Sequence, residues 1–122
     1  MLANGYSGGR AYGQSKLAQI MSGFELAARL PAREVTVNSL HPATYMPTKM
    51  VLQEAGHSID SLETGVAATD RLVGDESLSA TTGRFFDRTR ETRAAPQAYD
   101  AAARTRLWNR SLGLAGHPDV TA

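Results

Sequence analysis

The chain has no cysteine in its 122 residues, which excludes a disulfide scaffold, a thiolate metal site and a cysteine nucleophile. It also lacks a charge excess: a net charge of +1 argues against strong counterion-driven binding to nucleic acid by the chain as a whole. Long apolar runs are missing too. Nothing approaches the roughly 20 residues that span a bilayer, and Met1-Leu2-Ala3-Asn4-Gly5 carries neither the charged nor the apolar region of a signal peptide. The expectation is a cytoplasmic protein without membrane or nucleic-acid partners. Aromatic residues are sparse at 7%, while 11 Gly and 5 Pro are ordinary for a globular chain. The charge that is present is uneven, with seven arginines between Arg84 and Arg110 against only Asp87, Glu91 and Asp100, a pattern read as a solvated surface, with a polyanion site as the alternative.

What the chain does contain is helical and strand patterning in alternation. Asn4 to Arg10 is dense in turn formers and reads as a loop. A dinucleotide fingerprint would need a buried strand before such glycines, and only Met1 to Ala3 precede them. From Ala11 to Leu30, apolar residues including Leu17, Ile20, Met21, Phe24 and Ala27 recur every three or four positions, so this stretch reads as a long helix closed by Pro31. Val35 to Leu40 alternates β-branched and polar residues and reads as a strand ending at His41-Pro42.

The following stretch, Ala43 to Ser58, holds no sustained period, although residues 48–55 suit a short helix. Asp60-Ser61-Leu62-Glu63 resembles a capping box, with Asp60 as the cap of a helix that Gly74-Asp75 ends. Thr82 to Asp87 reads as a turn feeding a short aromatic strand, and Tyr99 to Leu112 as a last helix, with residues 113–122 a flexible tail. Strand, helix, strand implies the crossover unit of a parallel α/β sheet.

Within this frame Tyr12 and Lys16 stand four apart near the start of the long helix, on one face and a turn apart. A phenol is a poor proton relay at neutral pH, and an ammonium nearby stabilises its phenolate. At about 4 Å and an effective dielectric of about 20 the attraction is about 4 kcal/mol. Such a tyrosine can pass a proton to a carbonyl oxygen as a hydride reaches the carbon. The same spacing also occurs on ordinary helix surfaces, so its context carries the weight.

Ala11-Tyr12-Gly13-Gln14-Ser15-Lys16-Leu17-Ala18, followed by Val35 to Ala43, resembles the Tyr-x-x-x-Lys segment, strand and Pro-Gly turn of the short-chain dehydrogenase/reductase family. The likeness covers Gly5 to Asp87, and Tyr99 to Leu112 resembles the last helix of its retinol-dehydrogenase-like branch. The resemblance implies an α/β chain, the C-terminal part of a Rossmann-type doubly wound parallel sheet, spanning residues 1–112 and lacking the N-terminal cofactor half. It implies an NAD- or NADP-dependent oxidoreductase that interconverts a small carbonyl substrate and an alcohol. Tyr12 would be the acid/base, and Lys16 would assist it and bind the nicotinamide ribose. Pro42, Ala43 and Thr44 would line the nicotinamide side, and Thr48 would approach the carboxamide or pyrophosphate.

Two positions depart from the family pattern: Ala43 stands where glycine is usual, and Thr48 lies six rather than five residues after Pro42. The family's Gly-rich loop and active-site serine have no counterpart, and Ser7, in its glycine loop, does not replace that serine. The resemblance further implies a substrate lid near residues 49–58 and a homo-oligomer formed through the 11–30 helix. The competing reading is a truncated, non-catalytic remnant or interaction piece. His41 reads as a packed or solvated residue, His57 and His117 lack ligand partners, and no metal site is expected. Such folds run to about 250 to 300 residues as one domain, so 122 residues correspond to about half of one.

Overall fold

A computed structural model describes residues 5–32, 34–44, 60–119 and 121, arranged as three helices around a small mixed sheet. Helix α1 spans Gly8–Arg29 and strand β1 Ser39–His41; helix α2 spans Leu62–Gly74; strands β2 and β3 are Phe85–Asp87 and Arg90–Thr92; helix α3 is Ala101–Ala115. Short 3₁₀ turns at Glu76–Leu78 and Pro96–Tyr99 precede β2 and α3 respectively.

Helix α1 begins three residues before the expected start, so Gly8, Gly9 and Arg10 are helical rather than loop. The reason is Ser7, whose hydroxyl accepts from the Arg10 N–H at 3.2 Å and satisfies one of the donors that every helix start leaves free. At the other end Leu30 is the last cap residue and Pro31 follows, as the pattern predicts. For α2 the cap is Ser61, one residue after the expected Asp60, because the Ser61 hydroxyl reaches the Thr64 N–H at 3.2 Å. Asp60 is thereby left for other partners.

Strand β1 is shorter and later than the Val35 to Leu40 expectation. Val37 and Asn38 still bind the chain before β2: the Val37 N–H donates to Thr82 Oγ1 at 2.9 Å, and the Asn38 amide donates to the Thr81 carbonyl at 2.9 Å. Strands β1 and β2 are parallel, with Ser39, Leu40 and His41 opposite Phe85, Phe86 and Asp87. Between them the chain runs through α2, which is the expected crossover. Strand β3, unforeseen in the sequence, pairs antiparallel with β2 in a tight hairpin, so the sheet is mixed rather than all parallel.

Successive residues of a strand face opposite sides, and the two phenylalanines of β2 divide the structure on that basis. Phe85 packs on a cluster formed by Met21 and Phe24 of α1, Ala94, Ala98 and Ala103. Phe86, only 2% exposed, lies on the other face, where the Arg71 guanidinium of α2 sits 6.0 Å from its ring. Helices α1 and α3 are joined across the first face by the buried Glu25, whose carboxylate accepts from Arg29 at 3.0 Å and from Arg104 at 3.4 Å. Tyr99 closes this layer: its ring lies 5.3 Å from Phe24, and its hydroxyl accepts from the Ala94 N–H at 2.9 Å.

Helix α3 extends to Ala115, past the expected Leu112, and ends at Gly116 in the left-handed conformation with φ of 66°. Asp119 then folds back. Its carboxylate accepts from Arg29 at 3.0 Å and from the Trp108 indole at 3.1 Å, while the Arg29 guanidinium lies 4.8 Å from the Trp108 ring.

Candidate functional site

A cleft of about 730 Å³ opens between α1 and the end of β1. From α1 it takes Tyr12, Lys16, Gln19 and Ile20, residues spaced by three and four along one helical face. From β1 and the following turn it takes Asn38 to Ala43. The two walls stand close because Gly23 has no side chain: a Cβ there would meet Ser39 Oγ at 3.0 Å. Tyr12, 67% exposed, and Lys16 are free of core packing, and the Lys16 ammonium lies 5.6 Å from the Tyr12 ring centroid. Ser15 does not compete for the phenol, since its hydroxyl donates to the Tyr12 backbone carbonyl at 2.8 Å.

Of the residues singled out in the sequence, Tyr12, Lys16, Pro42 and Ala43 therefore border one cleft. Thr44 is engaged beside it, and Thr48 and the segment 49–58 lie outside the described residues. Ser7 is the cap of α1. His41, read as packed or solvated, is half-buried on the wall of the cleft.

At the carboxyl ends of β1 and β2 a polar cluster adjoins this cleft. The Thr44 N–H donates to Asp60 Oδ2 at 2.6 Å, and the Asp60 N–H donates to the Thr44 carbonyl at 2.8 Å. Arg88 donates to Asp60 Oδ2 through Nε at 3.1 Å, to Asp87 Oδ1 at 2.7 Å and to Thr44 Oγ1 at 3.2 Å. His41 Nε2 lies 2.9 Å from the same Thr44 hydroxyl. The Thr44 N–H, and after it the Arg88 guanidinium, hold the Asp60 carboxyl below the usual carboxylate range. The same contact with Asp60 raises Arg88. Asp60 and Arg88 are the site residues that sequence reasoning missed. Asp60 satisfies a helix-cap pattern, which hid it, and the partners of Arg88 are distant in sequence.

A phenol and an ammonium thus share a cleft near the carboxyl end of a parallel strand pair, the end at which open α/β sheets bind ligands. The chain is 31% identical to human (Homo sapiens) retinol dehydrogenase 13 over 126 residues, covering 91% of this chain and 38% of that protein. It is 30% identical to human retinol dehydrogenase 11, covering 93% of this chain and 38% of the relative. To the chloroplastic short-chain dehydrogenase TIC 32 B of Brassica napus it is 28% identical, with coverage of 89% and 38%. The chain is thus similar to retinol dehydrogenases and to a short-chain dehydrogenase, and spans a little over a third of the length of the curated relatives it matches. No family model and no solved structure matches it.

The residues present suit the nicotinamide end of an NAD(P) cofactor, with a cationic donor and a phenol on one wall and the Pro42-Ala43 turn on the other. At the glycine-rich start of α1 the Ser7 hydroxyl accepts from the Arg10 N–H, one of the free donors of that helix end. Among the described residues no helix is long and apolar enough to cross a membrane, and no group of three or more His, Asp or Glu could hold a metal ion.

Proposed function

We propose that this chain carries the proton-transfer wall of an NAD(P)-dependent oxidoreductase that interconverts a small carbonyl compound and an alcohol. The observation that carries this reading is the convergence of Tyr12 and Lys16 on one cleft with the Pro42-Ala43 turn. A bound nicotinamide would supply or accept the hydride. The Tyr12 hydroxyl gives its proton to the carbonyl oxygen in reduction and takes it back in oxidation. The Lys16 ammonium, one helical turn away, stabilises the phenolate left behind and offers donors to the ribose hydroxyls. Pro42 and Ala43 border the ring, and Thr44 and Thr48 complete that side. A Rossmann-type sheet, of which β1, α2 and β2 form one crossover, is the fold that fits this reading, in a cytoplasmic setting and with α1 as the contact between copies.

A second reading is favoured by the position of β1. Among the described residues it is the end strand of the sheet: Ser39 and His41 bond to the β2 side, as Ser39 N–H to Arg84 and Arg88 N–H to His41 carbonyl show, so Leu40 turns its backbone groups away from β2. On that reading the chain is a non-catalytic interaction piece. Titration of the chain with NADH and NADPH separates the two. Saturable binding weakened by Lys16→Ala supports the oxidoreductase reading, and absence of binding supports the interaction piece.

A further inference from the structure

Arg88 combines two features. It is the only residue other than glycine, among those described, with a positive φ, 57°. It also occupies the first central position of the two-residue turn between β2 and β3, where hairpins place glycine when φ must be positive. A long side chain kept in a conformation that glycine adopts freely points to a use for that side chain. Its contacts show where the use lies. The Arg88 N–H donates to the His41 carbonyl at 2.7 Å, and the guanidinium donates to Thr44 Oγ1 at 3.2 Å while Asp60 and Asp87 fix its orientation. Arg88 is not itself a wall of the cleft, but His41 is.

The Thr44 hydroxyl has one proton and two lone pairs. A guanidinium only donates, so its bond to Thr44 Oγ1 occupies a lone pair and polarises the O–H, making it a better donor to the second partner, His41 Nε2, at 2.9 Å. We propose that Arg88 is a positioning residue: through Thr44 it holds the His41 imidazole on the cleft wall with Nε2 as acceptor and the proton on Nδ1. The chain of donation runs Arg88 to Thr44 to His41 and involves no proton transfer. The importance of a held imidazole for the reaction rests on the oxidoreductase reading above, whereas the arrangement itself does not.

The test is long-range ¹H–¹⁵N NMR of the histidine rings in the full 122-residue chain at neutral pH, a spectrum that distinguishes the two neutral tautomers, with His41 assigned by His41→Gln. The wild type is expected to show the Nδ1–H pattern. Arg88→Gly relieves the backbone and keeps the turn, so a residue needed only for the hairpin leaves His41 unchanged. On the proposal, Arg88→Gly and Arg88→Lys both move His41 to a tautomer mixture, as does Thr44→Val, which keeps the size and removes the hydroxyl. A His41 pattern identical in wild type and Arg88→Gly overturns the proposal, as does an Nε2–H pattern in the wild type. Addition of NADH tests the other reading separately: a wild type with the Nδ1–H pattern and no response to NADH supports the positioning and removes the cofactor site.

Discussion

Lys16 places its ammonium 5.6 Å from the centroid of the Tyr12 ring, one turn along α1, on a wall of the same cleft that the Pro42-Ala43 turn borders. Both side chains are exposed, and the proposed chemistry resides in them rather than in packing. The fold and the site can therefore be perturbed independently.

On the proposed function, Tyr12→Phe is expected to lower carbonyl reduction by a longer protein that also carries the cofactor-binding half by about 10²–10⁴-fold, the usual worth of a positioned acid/base. Folding stability should change by less than about 0.5 kcal/mol, since the phenylalanine ring can keep the Lys16 contact and nothing buried is removed. Steady-state kinetics and thermal unfolding, measured together, check both halves. Loss of stability of a few kcal/mol would place Tyr12 in the structure rather than in the chemistry.

Glu25→Ala should act in the opposite sense. Arg29 and Arg104 are both partly buried and share this carboxylate, so its removal takes the carboxylate from Arg104 and leaves Arg29 with Asp119 alone, between α1 and α3. The cost is about 3 kcal/mol, read as a lower midpoint in urea, with Glu25→Gln intermediate because it keeps a hydrogen-bond acceptor.

Much of this architecture was legible in the sequence. The apolar period of α1, the Pro31 stop and the aromatic run at Phe85-Phe86 have local causes, and each element stands close to its expected place. What escaped was set by partners distant in the chain. β3 is polar and exposed, and it is held by its antiparallel pairing with β2. Asp60 has the look of a helix cap, yet Ser61 takes that task and Asp60 binds Thr44 and Arg88 instead. At the end of the chain, Asp119 makes contacts to Arg29 and Trp108 that no local pattern encodes.

Trp108, the single tryptophan, reports on that last contact. Asp119→Ala removes the indole's acceptor and the carboxylate paired with Arg29, so the emission of Trp108 should shift to longer wavelength as water reaches the indole. Helix content by circular dichroism should be retained, because the cap of α3 is Gly116 and not Asp119. An unchanged emission spectrum would show that the fold-back does not persist in solution.

Acid should loosen two of these contacts. Asp60, bound first by the Thr44 N–H and then by Arg88, and Asp119, bound by Thr121 and then Trp108, both hold their protons more weakly folded than unfolded. The unfolded chain therefore binds more protons as the pH falls through the ordinary aspartate range near about 4. The stability these groups contribute is present above that range and is lost as the pH drops through the lowered folded values. Asp60→Asn is expected to flatten the acid limb of a stability–pH curve and leave the neutral limb parallel to wild type. An acid limb of unchanged slope would contradict the role of Asp60.

The most direct test of the central claim is titration of the chain with NADH and NADPH, following nicotinamide fluorescence in wild type, Lys16→Ala and Tyr12→Phe. A nicotinamide site in the Tyr12–Lys16 cleft predicts saturable binding to the wild type that Lys16→Ala weakens strongly and Tyr12→Phe weakens little. No saturable signal, or binding indifferent to Lys16→Ala, would contradict it.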